Sequence, residues 1–261
     1  MLELTKAQKE RYNRHIILPD FGIEGQTRLL KARILIIGTG GLGSPVSLYL
    51  SAAGVGTLGI ADNDVVDVSN LQRQIIHSTD DVKKSKLDSA ARKMKAINPD
   101  LNIEKYQKFI KADNIMDIIK RYDFVLDCTD NFSSKFLIND ACVLANIPYS
   151  HGGVMHFHGQ TMTVVPGSSS CYRCLFSEPP PVKSNPPASD KGILGVIPGI
   201  LGTIQATEAI KCVTTTGKLL TDTLLTFDAK TMDFLKIKLK RQKNCPLCGE
   251  HPSITKLTDS K

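Results

Sequence analysis

The junction Arg33-Ile-Leu-Ile-Ile-Gly38-Thr-Gly-Gly-Leu-Gly43 restricts what this chain can fold into more than any other segment. A short β-branched run with no polar alternation fits a parallel strand buried on both faces. The glycines then allow a tight turn, and a helix over 44–53 follows. Pro45 fits that helix because it falls in the first turn, where its missing N–H costs nothing. The same alternation continues downstream. Strands are expected at 57–62, 103–106 and 123–128, and helices at 82–97, 115–119 and 132–145. The expected fold class is α/β: a Rossmann-like, largely parallel sheet with helices on both faces.

The pattern changes after Pro148. Residues 154–165 alternate around His158-Gly159, which predicts an antiparallel hairpin. Residues 178–187 hold five prolines and read as an exposed crossover. A helix at 199–214, ended by Gly217, and strands at 224–227 and 234–239 complete the second half. The parallel sheet should therefore continue into antiparallel strands and end in a cysteine-bearing tail. The chain reads as one domain, 1–261, with a helical arm at 1–30, a nucleotide-binding half at 31–147 and a second half at 148–261. The crossover loop spans 176–195. A basic amphipathic helix is expected at 4–16.

Composition excludes a disordered chain: 41% of residues are hydrophobic and 23% charged. The net charge of +7 suits an anionic partner, but no nucleic-acid-binding motif is present. The N-terminus lacks the apolar centre of a signal peptide, and no apolar run approaches a membrane span. A cytoplasmic location, with no membrane partner, is the expectation.

Gly38, Gly40, Gly41 and Gly43 stand at a strand-to-helix junction, where backbone amides and the positive end of the helix dipole receive phosphate. Asp62 ends the second strand, where a carboxylate can accept from ribose hydroxyls. Those two features alone would equally suit an NAD(P)-dependent oxidoreductase. Two others favour a triphosphate. Lys83, Lys84 and Lys86 are expected to open a helix, where cations oppose the dipole. Lys86 borders the apolar face and should run toward the sheet, with Arg73 offering a second phosphate fork. Asp127 and Asp130 follow the strand at 123–128, on the edge where such sheets bind ligands, and a triphosphate brings magnesium that needs one or two carboxylates. Asp130-Asn131 also suits a helix N-cap.

Seven cysteines divide into two sets. Cys128, Cys142 and Cys212 sit singly in apolar runs and read as core. Cys171/Cys174 and Cys245/Cys248 form two Cys-x-x-Cys pairs, the pattern of a four-thiolate structural zinc site without an open position. His151, His156 and His158 are given no metal role.

Taken together, these motifs resemble the MoeB/ThiF/HesA family, the prokaryotic relatives of ubiquitin-activating enzymes, and most closely its MoeB branch. The matching residues are Arg11-Tyr-Asn-Arg14-His15, the glycine loop, Asp62-Asn-Asp64, Ser69-Asn70-Leu71-Gln72-Arg73-Gln74, Lys86, Asp127-Cys-Thr-Asp130-Asn131 and the four paired cysteines. The resemblance implies an adenylyltransferase that activates the C-terminal Gly-Gly carboxylate of a ubiquitin-like sulfur carrier. A ThiF-like role toward a thiamine-pathway carrier is the alternative, and a non-catalytic carrier-binding scaffold a more distant one. ATP would lie over Gly41 and its loop, with Asp62 on the ribose and Asn70, Arg73 and Lys86 on the phosphates. Asp64, Ser69, Leu71, Gln72 and Asn131 would complete the nucleotide site. Asp130 would hold magnesium, and the four cysteines zinc. Arg14 would reach into the site of a second subunit in a homodimer, residues 148–261 would receive the carrier, and a separate protein would donate sulfur. Many relatives carry a crossover-loop cysteine that bonds the carrier. Here Ala188 stands at its place by spacing to Gly192, so adenylation without a covalent loop adduct is expected.

Overall fold

The computed structural model describes residues 4–180 and 192–258. One eight-stranded sheet runs through the chain in the order β3-β2-β1-β4-β5-β6-β7-β8. The parallel part comprises β1 (Arg33–Ile37), β2 (Thr57–Ala61), β3 (Asn102–Tyr106), β4 (Phe124–Asp127) and β5 (Tyr149–Met155). Antiparallel strands β6 (His158–Val164), β7 (Thr223–Asp228) and β8 (Asp233–Lys238) extend it. Sequential strands diverge from β1, one set toward β3 and the other toward β5, so a crevice opens at the carboxyl ends of β1 and β4.

Burial explains the apolar runs. Ile34 and Ile36 of β1 point into one core and Leu35 and Ile37 into the other, and all four are buried. The first core is closed by α3 (Gly22–Lys31), α4 (Gly43–Ala53), α5 (Lys86–Ile97) and α9 (Val196–Thr214). The second is closed by α6 (Ile115–Ile119), α7 (Phe132–Ala145), the short α8 (Tyr172–Leu175) and the cysteine-bearing tail. α4 ends at Gly54 and α7 at Asn146, each in the left-handed conformation that closes a helix C-terminus.

Several expectations need correction. The helix read at 4–16 is two, α1 (Lys6–Arg11) and α2 (Asn13–Ile16). They break at Tyr12, whose hydroxyl accepts from Asn98 Nδ2 at 2.9 Å, and the helical arm adds a further helix, α3. The helix read from 82 begins at Lys86. Lys83 (φ 68°) and Lys84 lie in the preceding turn, bonded to Val66, so only Lys86 faces the dipole. The hairpin turns at His156-Phe157, with His156 at φ 55°, and His158 already pairs with Met155. α9 starts at Val196 and closes at Thr215, not Gly217.

α9 also overturns the statement that no apolar run approaches a membrane span, since its 19 residues are long and apolar enough by length and composition. Here it is a core helix, packed on α3, α4 and strands β4 to β6. It carries buried Gln205 and Glu208, whose polar atoms are bonded within the fold.

Candidate nucleotide site and cysteine centre

Strand register sets the site. Ile37 aligns with Ala61 on one side and Asp127 on the other, so Gly38, Asp62 and Cys128 leave the sheet at one level. Gly38 has φ 94°, and a Cβ there would press on the Cys128 carbonyl. At Gly43 a Cβ would collide with the Gly38 carbonyl oxygen. These two glycines are demanded by the turn itself. Gly41 is walled by Pro198 and Arg73. Gly40 differs, because a Cβ there would meet only the Gln74 side-chain amide, at an ordinary 3.6 Å from Nε2. Nothing in the fold requires glycine at 40, and its open backbone is a cradle that a side chain would fill.

Gly43→Ala should therefore destabilise the fold by about 3 kcal/mol, as steric overlap with backbone does. Gly40→Ala should leave the melting temperature unchanged and weaken ATP binding measured by calorimetry. Equal losses of stability in both would contradict this division.

Asp62 fixes the loop from below. Its Oδ2 accepts from the Thr39 amide and hydroxyl, both at 2.8 Å, and its Oδ1 from the Asp64 amide at 3.0 Å. A carboxylate has about four acceptor positions, so capacity remains for a hydroxyl ligand. Lys86 is buried, and its Nζ meets the exposed Asp64 carboxylate at 2.9 Å. Arg73 bonds the Ser69 carbonyl at 3.1 Å through Nη1. A 3-10 turn at Val68–Asn70 shapes the segment around it: Asp67 accepts from Ser69, and Asn70 Oδ1 accepts from the Asp67 amide. Those bonds to Ser69 hold the Asp67 carboxyl below its ordinary range. Leu71 and Gln72 follow. Gln72 packs so closely on Gly195 that a Cβ there would overlap its carbonyl oxygen.

The two carboxylates after β4 separate cleanly. Asp127 is wholly buried and committed to Thr129, Lys135 and His151. Burial alone would raise its pKa, but the Lys135 ammonium and the His151 bond bring it down to about 2. It is sealed inside the fold, against the expectation that it shares a cation. Asp130 is exposed and has no polar partner among the described residues. The N-cap of α7 is Asn131, whose Oδ1 accepts from the Ser134 amide at 2.9 Å. Asp130 is thus left free, and its hard oxygen atoms suit a divalent cation.

Arg14 is not brought to this loop. The arm docks where α4 ends: Gln26 Nε2 donates to the Ala53 carbonyl, and the Tyr12 ring covers Gly54. The 11 residues of α4 place that end about 16 Å from the loop.

The four paired cysteines converge. Their sulfurs lie within 4.8 Å of one another, with Cys171–Cys245 at 3.7 Å, Cys174–Cys248 at 3.4 Å and Cys171–Cys174 at 4.0 Å. Tetrahedral zinc with bonds near 2.3 Å needs about 3.8 Å between sulfurs, so the set fits. It is the cluster of metal-ligand type among the described residues. His158 pairs instead with Asp228 and His151 with Asp127. Cys128 and Cys142 are buried, and burial pushes their thiols far up. Burial also raises Cys212, to about 11. None resembles a nucleophile. Ala188 and part of the crossover read at 176–195 lie outside the described residues.

A family model described as the ThiF family matches residues 12–247. The chain belongs to the ThiF family. This ThiF-family chain is 44% identical to the SAMP-activating enzyme E1 of Haloferax volcanii, across 95% of its own length and 92% of the relative's. It is 40% identical to the sulfur carrier protein adenylyltransferase of Thermus thermophilus, covering 98% and 96%. It is 42% identical to the adenylyltransferase and sulfurtransferase MOCS3 of Sus scrofa, but spans only 56% of that protein. A crystal structure of Escherichia coli MccB with succinimide shares the fold, with a TM-score of 0.82 at 23% identity over 95% of this chain and 75% of MccB.

Two residues at the candidate site went unread in the sequence: Pro198, which walls Gly41, and Lys135, which holds Asp127 and Thr129. Pro198 had a weak signal, a proline in the first turn of an apolar helix. Lys135 had none.

Proposed function

We propose that this protein adenylates the C-terminal glycine carboxylate of a ubiquitin-like sulfur carrier, most closely in the manner of MoeB. The observation that carries the reading is the gathering of an open glycine cradle, a buried lysine, an arginine and a free carboxylate at one sheet crevice. Full-length likeness to enzymes named for carrier activation supports it.

In this reading the Gly40–Gly41 backbone seats the phosphates, and Asp62 accepts from the ribose. Lys86 and Arg73 neutralise phosphate charge. Lys86 would exchange Asp64 for a phosphate oxygen, a swap its short reach allows. Asp130 would hold a magnesium ion, which would supply charge neutralisation for the phosphates. The carrier's terminal carboxylate oxygen forms a bond to the α-phosphorus while the bond from that phosphorus to the bridging oxygen breaks, releasing pyrophosphate. Positioning and charge neutralisation supply the rate, so no covalent help from the protein is needed. Four thiolates would hold structural zinc and leave it no open position.

Arg14 supports a homodimer, since its arm docks at the far end of α4 and it has no polar side-chain partner among the described residues. Mixing Arg14→Ala with Asp130→Ala chains should restore part of the exchange that each lacks alone. No recovery on mixing would remove the shared-site reading. Sulfur transfer falls to a separate donor, and the carrier should show no thiol-sensitive adduct to this chain by intact mass. Detection of one would overturn that claim. The function itself is tested by ATP–pyrophosphate exchange across carriers ending in Gly-Gly. Exchange with one of them is expected, and exchange with none would refute it.

A further inference from the structure

Three residues before Asp130, the chain buries a complete ion pair. Asp127 has no exposed surface and Lys135 is 7% exposed. Lys135 Nζ lies 3.3 Å from Asp127 Oδ2, donates to the Thr129 carbonyl at 2.7 Å, and also donates to the Gly152 carbonyl. Asp127 Oδ1 accepts from the Thr129 amide at 3.1 Å and from its hydroxyl at 2.6 Å. His151 Nδ1 meets Asp127 Oδ2 at 3.0 Å. From α9, Gln205 Nε2 bonds the carbonyls of Asp127 at 3.0 Å and Ser150 at 3.2 Å.

Thr129 is therefore held at its amide, its hydroxyl and its carbonyl by one buried pair. Asp130 comes next, and Asn131 after it is locked as the α7 cap. The exposed carboxylate stands between two fixed points. A buried pair is a poor way to stabilise a fold, because apolar side chains of similar volume do as well without desolvating two charges. What apolar groups could not do is hold the three polar atoms of Thr129.

We propose that the Lys135–Asp127 pair is a positioning device that fixes Asp130 for a divalent cation through Thr129. The inference rests on the cation role given to Asp130 above. A carboxylate held in place binds a cation without first ordering its own loop, and groups behind a ligand commonly govern metal affinity in this way.

The test uses the full-length protein with ATP and manganese as a magnesium substitute, reading manganese binding by electron paramagnetic resonance beside ATP–pyrophosphate exchange. Lys135→Met should raise the manganese half-saturation about tenfold or more, and the magnesium half-saturation of exchange by a similar factor. The KM for ATP at saturating magnesium should move little. Lys135→Arg, which keeps the charge and its donors, should recover most of the cation affinity. Thr129→Val removes only the hydroxyl bond and keeps the buried pair, so it serves if Lys135→Met does not fold. It should shift the cation midpoint in the same direction at a near-normal melting temperature. A folded Lys135→Met or Thr129→Val with wild-type cation affinity overturns the proposal. Wild-type protein that binds ATP but no manganese overturns the Asp130 reading itself, and this inference with it.

Discussion

Asp130→Ala should lower ATP–pyrophosphate exchange by roughly a hundredfold or more, the scale seen when one preorganised electrostatic contact is lost. The melting temperature should stay near wild type. Both halves follow from the same geometry. Asp130 makes no polar contact among the described residues, so its removal breaks nothing in the fold. Asn131, not Asp130, caps α7, so the helix keeps its N-terminal bond. The neighbouring Asp127 cannot take over, because it is buried and saturated by Thr129, Lys135 and His151. Exchange rates at saturating carrier, set beside a thermal melt, check the expectation. Substantial exchange retained by Asp130→Ala would strip the residue of its cation role. A large fall in melting temperature would show a structural role that its exposure argues against.

Cys174→Ser should release zinc and loosen the tail at 240–258 while leaving the parallel half of the sheet folded. The wild-type protein should carry about one zinc ion per chain, in keeping with a closed four-thiolate site. The centre joins residues far apart in sequence: Cys171 is the N-cap of α8 and Cys174 lies within it, whereas Cys245 and Cys248 lie in the tail. Other contacts also hold the tail: the Gln242 amide donates to Cys174 Sγ at 3.4 Å, and Ile254 and Leu257 pack on the second core. Arg241 bonds the Cys248 and Gly167 carbonyls, and Cys245, Leu247 and Cys248 are buried against the second core. Loss of one thiolate leaves three, too few to close the tetrahedron, so metal-coupled stability is lost. Limited proteolysis should then cut the tail early, and a colorimetric chelator assay should find zinc in solution. A wild-type protein without zinc would overturn the assignment. The nucleotide loop lies on the other side of the sheet, so ATP binding should survive in the variant.

The parallel half was legible because its signals are local. Ile34 to Ile37 are apolar on both faces, and the glycine turn fixes where β1 ends and α4 begins. The Cys-x-x-Cys pairs likewise announce their chemistry through spacing. What the sequence hid depends on contacts across the fold. Tyr12 breaks the N-terminal helix because its ring is needed over Gly54. Lys83 and Lys84 read as helical by continuity, yet their bonds to Val66 hold them in a turn. The apolar length of α9 went unread because Glu208 and Lys211 interrupt it, and Gln205 and Glu208 find their partners only in the folded chain. Lys135 shows the limit most clearly. A lysine four residues inside a helix reads as solvated, and only the pairing of β4 with β5 brings the carbonyls of Thr129 and Gly152 around it.

Gly40, Asp62, Arg73, Lys86 and Asp130 gathered at one crevice should adenylate a carrier, which a single measurement reads directly. The purified protein is incubated with ATP, magnesium and a Gly-Gly-ended carrier, and the carrier is read by intact mass spectrometry. A carrier gaining the mass of one adenylyl group (AMP less one water), with pyrophosphate released in step and no gain when the last glycine is deleted, is the predicted result. Unmodified carrier alongside a protein that binds both partners would contradict it and leave this chain a scaffold.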